Sequence, residues 1–454
     1  MKEYTYAEAI EFFENLPHFV PPTDSVGKKD YFTLDAELAL LEKLDRPQDK
    51  LKYIHIAGTN GKGSITTYLA NILREASVVT GAFTSPFLYR YNEMYRVNGH
   101  EITDADFAHV FSEVKPKYDE LATVGIFPSE YEILTVMAFI YFLKKGCEIV
   151  LLEVSMGGRT DTTNVIPAAL VTVITPISYD HMTILGNTLT EIAAEKAGII
   201  KPGTTVVSAT QDSEVADVLT RVCKSFEDMK ITYYTDDSCS KIDAVEYISE
   251  KVPIEYVSPS KIISRNIHGQ EFITSDGGRY YTTLLGTYQI DNAALAIAAA
   301  HTLKRVWDGE RGRITPDAIR RGIAYTKWFG RFTLLSDNPP VIIDGGHNRQ
   351  GAAVLRQSLE EYFPNVKVTF ILGILKDKEV DIILDELMPL ANKCYTMAVP
   401  NARTMDPDKL AEMVRARGIE AEAITDRKRI KEIIDHSEVT CIAGSLYLIS
   451  EIDY

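Results

Sequence analysis

The chain has 454 residues, which at roughly 100–200 residues per domain suggests two or three domains; its 45% hydrophobic and 25% charged residues are the balance of a globular protein. With 48 Lys and Arg against 64 Asp and Glu, the formal charge is −16, which argues against nucleic acid as a main partner because such binding needs a dominant basic surface. Small anions stay open, since a nest of backbone N–H groups and a few cations can hold a nucleotide.

Residues 5–15 and 35–45 carry helical apolar spacing. From Tyr53 the pattern changes: Tyr53-Ile54-His55-Ile56-Ala57 reads as a buried strand, a glycine-rich turn follows, and Ile65, Leu69, Ile72 and Leu73 then mark one face of a helix. The next strand is 78–83. This βαβ unit implies a parallel sheet with a right-handed crossover. Further on, the sequence predicts helices at 131–145 and 189–200 and strands at 148–154 and 170–177. It also predicts a hairpin over 271–284 that turns at Asp276-Gly277-Gly278, and an alanine-rich helix at 289–306. After Trp328 a second α/β series begins. Its expected strands are 341–344, 366–373, 394–399 and 438–443, with helices near 350–362, 379–391, 407–417 and 427–435. The expected architecture is α/β: a P-loop parallel-sheet N-terminal ATPase domain over 1–327 and a smaller Rossmann-like domain over 328–454.

Five cysteines, Cys147, Cys223, Cys239, Cys394 and Cys441, form no C-x-x-C pair and no cluster with histidine, so neither a disulfide framework nor a zinc site is expected. The opening Met1-Lys2-Glu3-Tyr4 lacks a charged-then-apolar signal pattern, and no apolar run approaches the ~18 residues of a membrane span. The expectation is a cytoplasmic protein with no membrane partner.

Between the first strand and helix of the βαβ unit stands Gly58-Thr59-Asn60-Gly61-Lys62-Gly63-Ser64. Glycines let backbone N–H groups turn toward a phosphate chain, and the helix N-terminus adds its dipole. Lys62 can reach terminal phosphates and the Ser64 hydroxyl can sit on Mg²⁺. The spacing departs from a strict Walker A loop: Ile56 holds the place of its first glycine, and Gly63, not Ser or Thr, follows the lysine. A plain glycine turn that binds nothing is the alternative.

The stretch His55 to Ser64 resembles the phosphate loop of the folylpolyglutamate synthase and dihydrofolate synthase family, a branch of the Mur ligases. Further blocks follow in that family's order. They are Thr84-Ser85-Pro86-Phe87-Leu88 with Arg90 and Asn92-Glu93, Tyr131-Glu132-Ile133-Leu134-Thr135, and the run from Glu153 through Gly157-Gly158-Arg159-Thr160-Asp161-Thr162 to Asn164. Asp180-His181, Leu185-Gly186 and Glu195-Lys196-Ala197-Gly198-Ile199 come next, then Gln289, Asn292, Gly330-Arg331, Asp344-Gly345-Gly346-His347-Asn348 and Gly444-Ser445-Leu446-Tyr447. Departures from the usual pattern are Ser155 and Met156 before Gly157, Gly346 after Gly345, and Tyr288 where a histidine often precedes the glutamine.

The resemblance implies an ATP-dependent ligase that activates a carboxylate as an acyl phosphate and joins it to L-glutamate, with folate or dihydropteroate as acceptor. It implies two Mg²⁺ sites. Ser64, Ser85 and Glu153 would serve one; for Glu153, pairing with a nearby base is the alternative. His181 would serve the second, although a lone histidine is more often structural. Lys196 would be a CO2-derived carbamate, since a bare ammonium cannot ligate a cation; the alternative is an ordinary solvated lysine. Asn292, Arg331 and Asp344 match positions that hold ATP, with His347 near its γ-phosphate, and the resemblance implies domain closure in the cycle. Tyr131, Glu132, Arg159, Thr160, Asp161 and Thr162 match regions lining the pteridine site, where Tyr131 could stack on a pterin ring or be core. A monomer is implied as well.

Two competing readings stand beside this one. A Mur-type ligase acting on a nucleotide-linked cell-wall precursor would carry Gly-Lys-Thr in the loop and a separate N-terminal domain, against Lys62-Gly63-Ser64 and about 50 preceding residues. A nucleotide-driven switch protein would leave Glu153, His181, Lys196 and the second-domain signature without a role.

Overall fold

The computed structural model describes residues 2–16, 33–225, 230–233, 260–274 and 277–449. The chain divides into two units.

The first unit takes in the described residues within Met1–Pro259, Thr274, and Asp291–Ile323. Its sheet has eight strands: Tyr53–Ala57 (β1), Thr80–Phe83 (β2), Tyr95–Val97 (β3), His100–Glu101 (β4), Ile149–Glu153 (β5), Val171–Ile174 (β6), Thr205–Ser208 (β7) and Lys230–Tyr233 (β8). They lie in the order β4-β3-β2-β5-β1-β6-β7-β8. From β2 to β8 all neighbours are parallel, while β3 and β4 fold back antiparallel at one edge. Every residue of β1, β2, β5 and β6 is buried, as continuous apolar runs require when both faces are covered.

One face carries a large core in which Phe83, Phe107, Phe111, Phe139 and Phe142 are fully enclosed. It is covered by the helices Tyr6–Glu14, Asp35–Glu42, Asp104–Ala122 and Glu130–Lys144. The helix Glu130–Lys144 starts in a capping box: Ser129 accepts from the Glu132 N–H, and Glu132 accepts from the Ser129 N–H at 2.6 Å. A smaller core between the sheet and the helices Leu189–Lys196 and Ser213–Lys224 includes Ile174, Ile192, Val206 and Leu219.

The second unit takes in the described residues within Ser260–Ile273, Gly277–Ile290 and Ala324–Tyr454. A three-stranded antiparallel sheet, Lys261–Asn266 (β9), Gly269–Ile273 (β10) and Arg279–Thr282 (β11), precedes a six-stranded one. The latter comprises Thr333–Asp337 (β12), Pro340–Asp344 (β13), Val368–Leu372 (β14), Ala391–Thr396 (β15), Glu420–Ala423 (β16) and Thr440–Ala443 (β17), in the order β12-β13-β17-β14-β15-β16. All its pairs are parallel except β12 with β13. The helices Arg349–Tyr362, Val380–Leu387 and Pro407–Arg415 supply one core, and Arg429–Asp435 with Leu446–Ile449 the other. This doubly wound arrangement is the α/β architecture the sequence implies.

The strand at 78–83 begins at Thr80, and the helix expected over 189–200 ends at Lys196 and continues as a 3-10 turn, Ala197–Ile199. The hairpin over 271–284 forms between β10 and β11 with a third strand, β9, beside it; Asp276 of its turn lies outside the described residues, as do Met1 and Cys239. A single cut between 327 and 328 does not separate the units, because 260–273 and 277–290 pack with the second. Among the described residues no helix is long and apolar enough to cross a membrane.

The helix that follows the glycine loop, Lys62–Glu75, is backed by the helix Pro316–Ala324 at a glycine crossing. A Cβ on Gly322 would stand 2.4 Å from Ile72 Cα and 2.6 Å from its nitrogen, a clash with backbone that no rotamer relieves. Gly322→Ala is expected to destabilise the first unit by about 1–3 kcal/mol, read as a lowered thermal midpoint.

Candidate active site

Ligand sites in open α/β sheets gather beyond the carboxyl ends of the strands, and here four neighbours, β2-β5-β1-β6, deliver the expected residues. Ser85 follows β2, Glu153 ends β5, the glycine loop follows β1, and Asp180 and His181 follow β6. Register holds them level: Ile56 pairs with Glu153 on one side of β1 and with Val173 on the other.

The loop is held by its neighbours' polar groups. Gly58 sits at φ +146°, and a Cβ there would fall 1.8 Å from Thr175 Oγ1. That hydroxyl donates to the Asn60 carbonyl at 2.6 Å. Thr59 N–H donates to the Pro176 carbonyl, and the Thr59 hydroxyl exchanges bonds with Ser178 at 3.0 Å each way. Gly61, at φ +89°, caps the helix, and a Cβ there would stand 2.5 Å from Asn292 Oδ1. The structure therefore brings Asn292 to the loop, as the resemblance implies. Ser64 is buried in the first helical turn.

Two lysines converge on one oxygen. Lys62 Nζ donates to the Gly58 and Thr59 carbonyls at 3.1 Å each, and Lys196 Nζ donates to the Gly58 carbonyl at 2.8 Å. Lys196 is 4% exposed. Burial, reinforced by the charge of Lys62 and opposed by Asp180 and Asp161, pulls its pKa down to about 7. This is not an ordinary solvated lysine. It is placed by a glycine crossing: a Cβ on Gly158 would lie 2.8 Å from the Glu195 and Lys196 carbonyls, and one on Gly198 2.5 Å from Arg159 Cα. Arg159 N–H closes the contact on the Glu195 carbonyl at 2.8 Å.

The acidic-glycine run folds around Asp161. Its Oδ2 accepts from Ser155 and Met156 N–H at 2.9 and 3.1 Å, and its Oδ1 from Thr163 N–H and Oγ1 at 3.0 and 2.5 Å. Four donors thus converge on this carboxylate, which caps the 3-10 turn Thr162–Val165 and shapes the loop. Glu132 is likewise engaged in its capping box. Thr162 bonds Thr135 at 2.6 Å. Arg159 is exposed, with Nη2 on the Ala194 carbonyl at 3.1 Å and Nε 3.5 Å from Glu195, and Thr160 is half-buried. The Tyr131 ring is half-buried in the core's margin, its hydroxyl is enclosed close to Ser85 and Ser155, and burial raises its pKa.

His55 was read only as part of a strand. It is 1% exposed, and its Nε2 lies 2.8 Å from Thr163 Oγ1. Because that hydroxyl gives its proton to Asp161, Nε2 must be the donor. Sequence offered one signal, a polar residue inside an otherwise apolar strand. Thr175, which pins the loop, carried none.

His181 has a left-handed backbone, φ +50°, and its Nε2 is 4.0 Å from Asp180 Oδ2. Among the described residues no group of three His, Cys, Asp or Glu could hold a metal ion by itself. Mg²⁺ is commonly held by one or two carboxylates with water and substrate phosphates; of the expected donors, Glu153 places a buried carboxylate at the end of β5 and Ser64 a buried hydroxyl in the first helical turn.

Within the second unit, Asp344 ends β13. It accepts from Tyr288 OH at 3.0 Å, Phe332 N–H at 2.8 Å and Gly346 N–H at 2.7 Å. Burial raises its pKa against the pull of Arg331. A Cβ on Gly345 would meet Arg331 Nη1 at 2.5 Å, and His347 Nδ1 lies 2.9 Å from the Gly345 carbonyl. Arg331, Asp344 and His347 thus form one cluster, with Tyr288 as its unforeseen member.

Residues 56–300 match the Mur ligase middle domain and residues 330–446 the Mur ligase glutamate ligase domain. The dihydrofolate synthase/folylpolyglutamate synthase of Bacillus subtilis (strain 168) is 33% identical over 425 residues, 91% of this chain and 92% of that protein. The chain belongs to the folylpolyglutamate synthase/dihydrofolate synthase family of Mur ligases. A Mycobacterium tuberculosis folylpolyglutamate synthase solved with ADP and AMPPCP superposes with a TM-score of 0.82 at 28% identity, covering 98% of this chain and 96% of that one. An FPGS–AMPPCP–folate complex gives 0.79 at 28% identity, covering 99% and 98%.

Burial, and after it the charge of Lys201, lowers the pKa of His55 to about 3. Between pH 6.5 and 3 the unfolded chain takes a proton that the folded chain refuses. Stability is therefore intact above pH ~6.5 and falls below it, by up to about 1.4 kcal/mol per pH unit from this group. His55→Gln should flatten that dependence, measured as the denaturant midpoint against pH.

Proposed function

We propose that this chain is an ATP-dependent ligase that joins L-glutamate to folates, to dihydropteroate or to both. The acceptor's carboxylate attacks the γ-phosphorus of ATP and ADP leaves. The glutamate amine then attacks the acyl phosphate and expels inorganic phosphate. The observation that carries this reading is the loop 58–64, with a half-buried and a buried lysine meeting on the Gly58 carbonyl at the carboxyl ends of four adjacent strands.

Each residue has a part. The N–H groups of Gly58, Thr59, Asn60, Gly61 and Gly63 and the helix they open supply an anion cradle. Lys62 exchanges its loop carbonyls for terminal phosphates. Ser64, Ser85 and Glu153 would hold one Mg²⁺ and His181 with a carbamylated Lys196 the second; such ions would offset the charge of the transferring phosphoryl group. Carbamylation needs a neutral amine, which reacts with CO2 to give an anionic carbamate and one proton. The dry, cation-flanked seat of Lys196 favours that neutral form. Asn292, Arg331, Asp344 and His347 take ATP, while Tyr131, Glu132, Arg159, Thr160, Asp161 and Thr162 border the pteridine. Residues 1–327 would bind ATP and folate and 328–454 would complete the ligase. A cytoplasmic monomer goes with this reading.

ADP release from protein supplied with Mg-ATP, L-glutamate and bicarbonate should require glutamate and either dihydropteroate or tetrahydrofolate. Turnover with both acceptors marks a bifunctional enzyme; hydrolysis indifferent to glutamate and acceptor sinks the ligase and revives the switch reading. Lys196→Ala should lose at least about a hundredfold in kcat, and native intact mass should show one CO2 on the parent protein that the variant lacks. Full activity in the variant would overturn the carbamate.

A further inference from the structure

Lys201 follows the 3-10 turn Ala197–Ile199 and is half-buried. It belongs to none of the blocks that carry the family resemblance. A lysine in such a place ordinarily runs its stem along apolar surface and keeps its ammonium in water. This one turns inward: Nζ donates to the Asn164 carbonyl at 2.7 Å and to the Ile166 carbonyl at 2.5 Å. Burial pulls its pKa down to about 8, so the seat works against the charge it holds. The two carbonyls stand at the exit of the 3-10 turn Thr162–Val165, whose start Asp161 caps. An anion at the start and a cation at the end both complement the dipole of the turn. Two further ties hold the same stretch. Asn164 Nδ2 donates to the Arg159 and Gly198 carbonyls at 3.0 and 3.1 Å. His55, on which the charge of Lys201 bears, donates from β1 to Thr163 Oγ1.

We propose that Lys201 is a positioning residue for the pteridine acceptor, acting through the loop 159–166 and touching no substrate atom; the inference rests on the ligase reading. Arg159, Thr160, Asp161 and Thr162 can serve an acceptor only where their loop holds them, because hydrogen bonds weaken steeply with misalignment. The four bonds on Asp161 are internal to residues 155–163, so they keep the loop's shape and travel with it if it shifts. The bonds from Lys201 are external. They tie the loop's exit to a segment whose Ile199 and Ile200 are buried in the smaller core. Without the ammonium the loop keeps its shape but loses its place. The phosphate loop does not share this dependence, since Thr175 and Ser178 pin it from the end of β6. The loss therefore falls on the acceptor and spares the nucleotide.

The test is steady-state kinetics with dihydropteroate and tetrahydrofolate on the full chain, together with equilibrium binding of each pteridine and, separately, of Mg-ATP. Lys201→Met keeps the stem and removes the donors. It should raise the KM and Kd for the pteridine about tenfold or more, while kcat at saturating acceptor stays within about threefold and the Kd for Mg-ATP within about twofold. Lys201→Arg, which keeps a cation with paired N–H donors, should recover most of the lost pteridine affinity. A folded Lys201→Met with parental pteridine affinity overturns the proposal, and so does one that loses pteridine and Mg-ATP affinity in equal measure, the mark of general loosening. If Lys201→Met does not fold, Lys201→Gln, which keeps a shorter donor, is judged by the same split; failure of both to fold makes Lys201 a folding residue and overturns the proposal. Failure of the parent protein to bind either pteridine would fault the ligase reading instead.

Discussion

The Gly58 carbonyl is the point on which the first unit's chemistry turns. It accepts from Lys62 and from Lys196, so two ammonium groups fall within hydrogen-bond reach of one oxygen. Burial first, and the nearby charge of Lys62 after it, pull the pKa of Lys196 from about 10.5 to about 7 against the opposing pull of Asp180 and Asp161. The loop that shapes the phosphate cradle therefore also holds, behind it, a lysine whose neutral form lies within reach of neutral pH. A loop that merely turned the chain would need neither amine.

That arrangement depends on close backbone approach elsewhere. Lys196 reaches Gly58 only because the helix Leu189–Lys196 lies against the loop after β5, and Gly158 and Gly198 are what let it lie there. Asp161 keeps the same loop in shape by taking four donors from residues 155–163, and His55 completes the chain of bonds through Thr163 from the adjacent strand. The glycines and the aspartate of one motif thus act on the position of a lysine in another, 35 residues or more away in sequence. Motifs separated along the chain are a single mechanical unit in space.

Much of this was legible in the sequence. The apolar runs 53–57 and 148–154 read as buried strands, and the glycine loop between strand and helix pointed to an anion site. Other elements were hidden for physical reasons. The helix Asp104–Ala122 carries Pro116 in its interior, which reads as a break. Strand β9 shows no alternation because nearly all of its side chains are exposed, and β16 is four residues, Glu-Ala-Glu-Ala, at a sheet edge. That residues 260–273 and 277–290 belong to the second unit was hidden, since contacts distant in sequence leave no local mark. In the site, residue types pointed to Lys196 and Glu153, but nothing in the sequence could reveal that Thr175 fills the space beside Gly58.

Residue type and motif membership also cannot tell a working side chain from a structural one; the destination of its hydrogen bonds can. Asp161 stands in the most conspicuous run of the chain, and both its oxygens accept from its own loop, so it shapes the turn it caps. Glu132 begins a helix by the same logic. The same reasoning separates Tyr288 from its surroundings in the second unit. Its hydroxyl is one of three donors on Asp344, so a residue that looked like a departure at a histidine position supplies a hydrogen bond that keeps a buried carboxylate oriented beside Arg331.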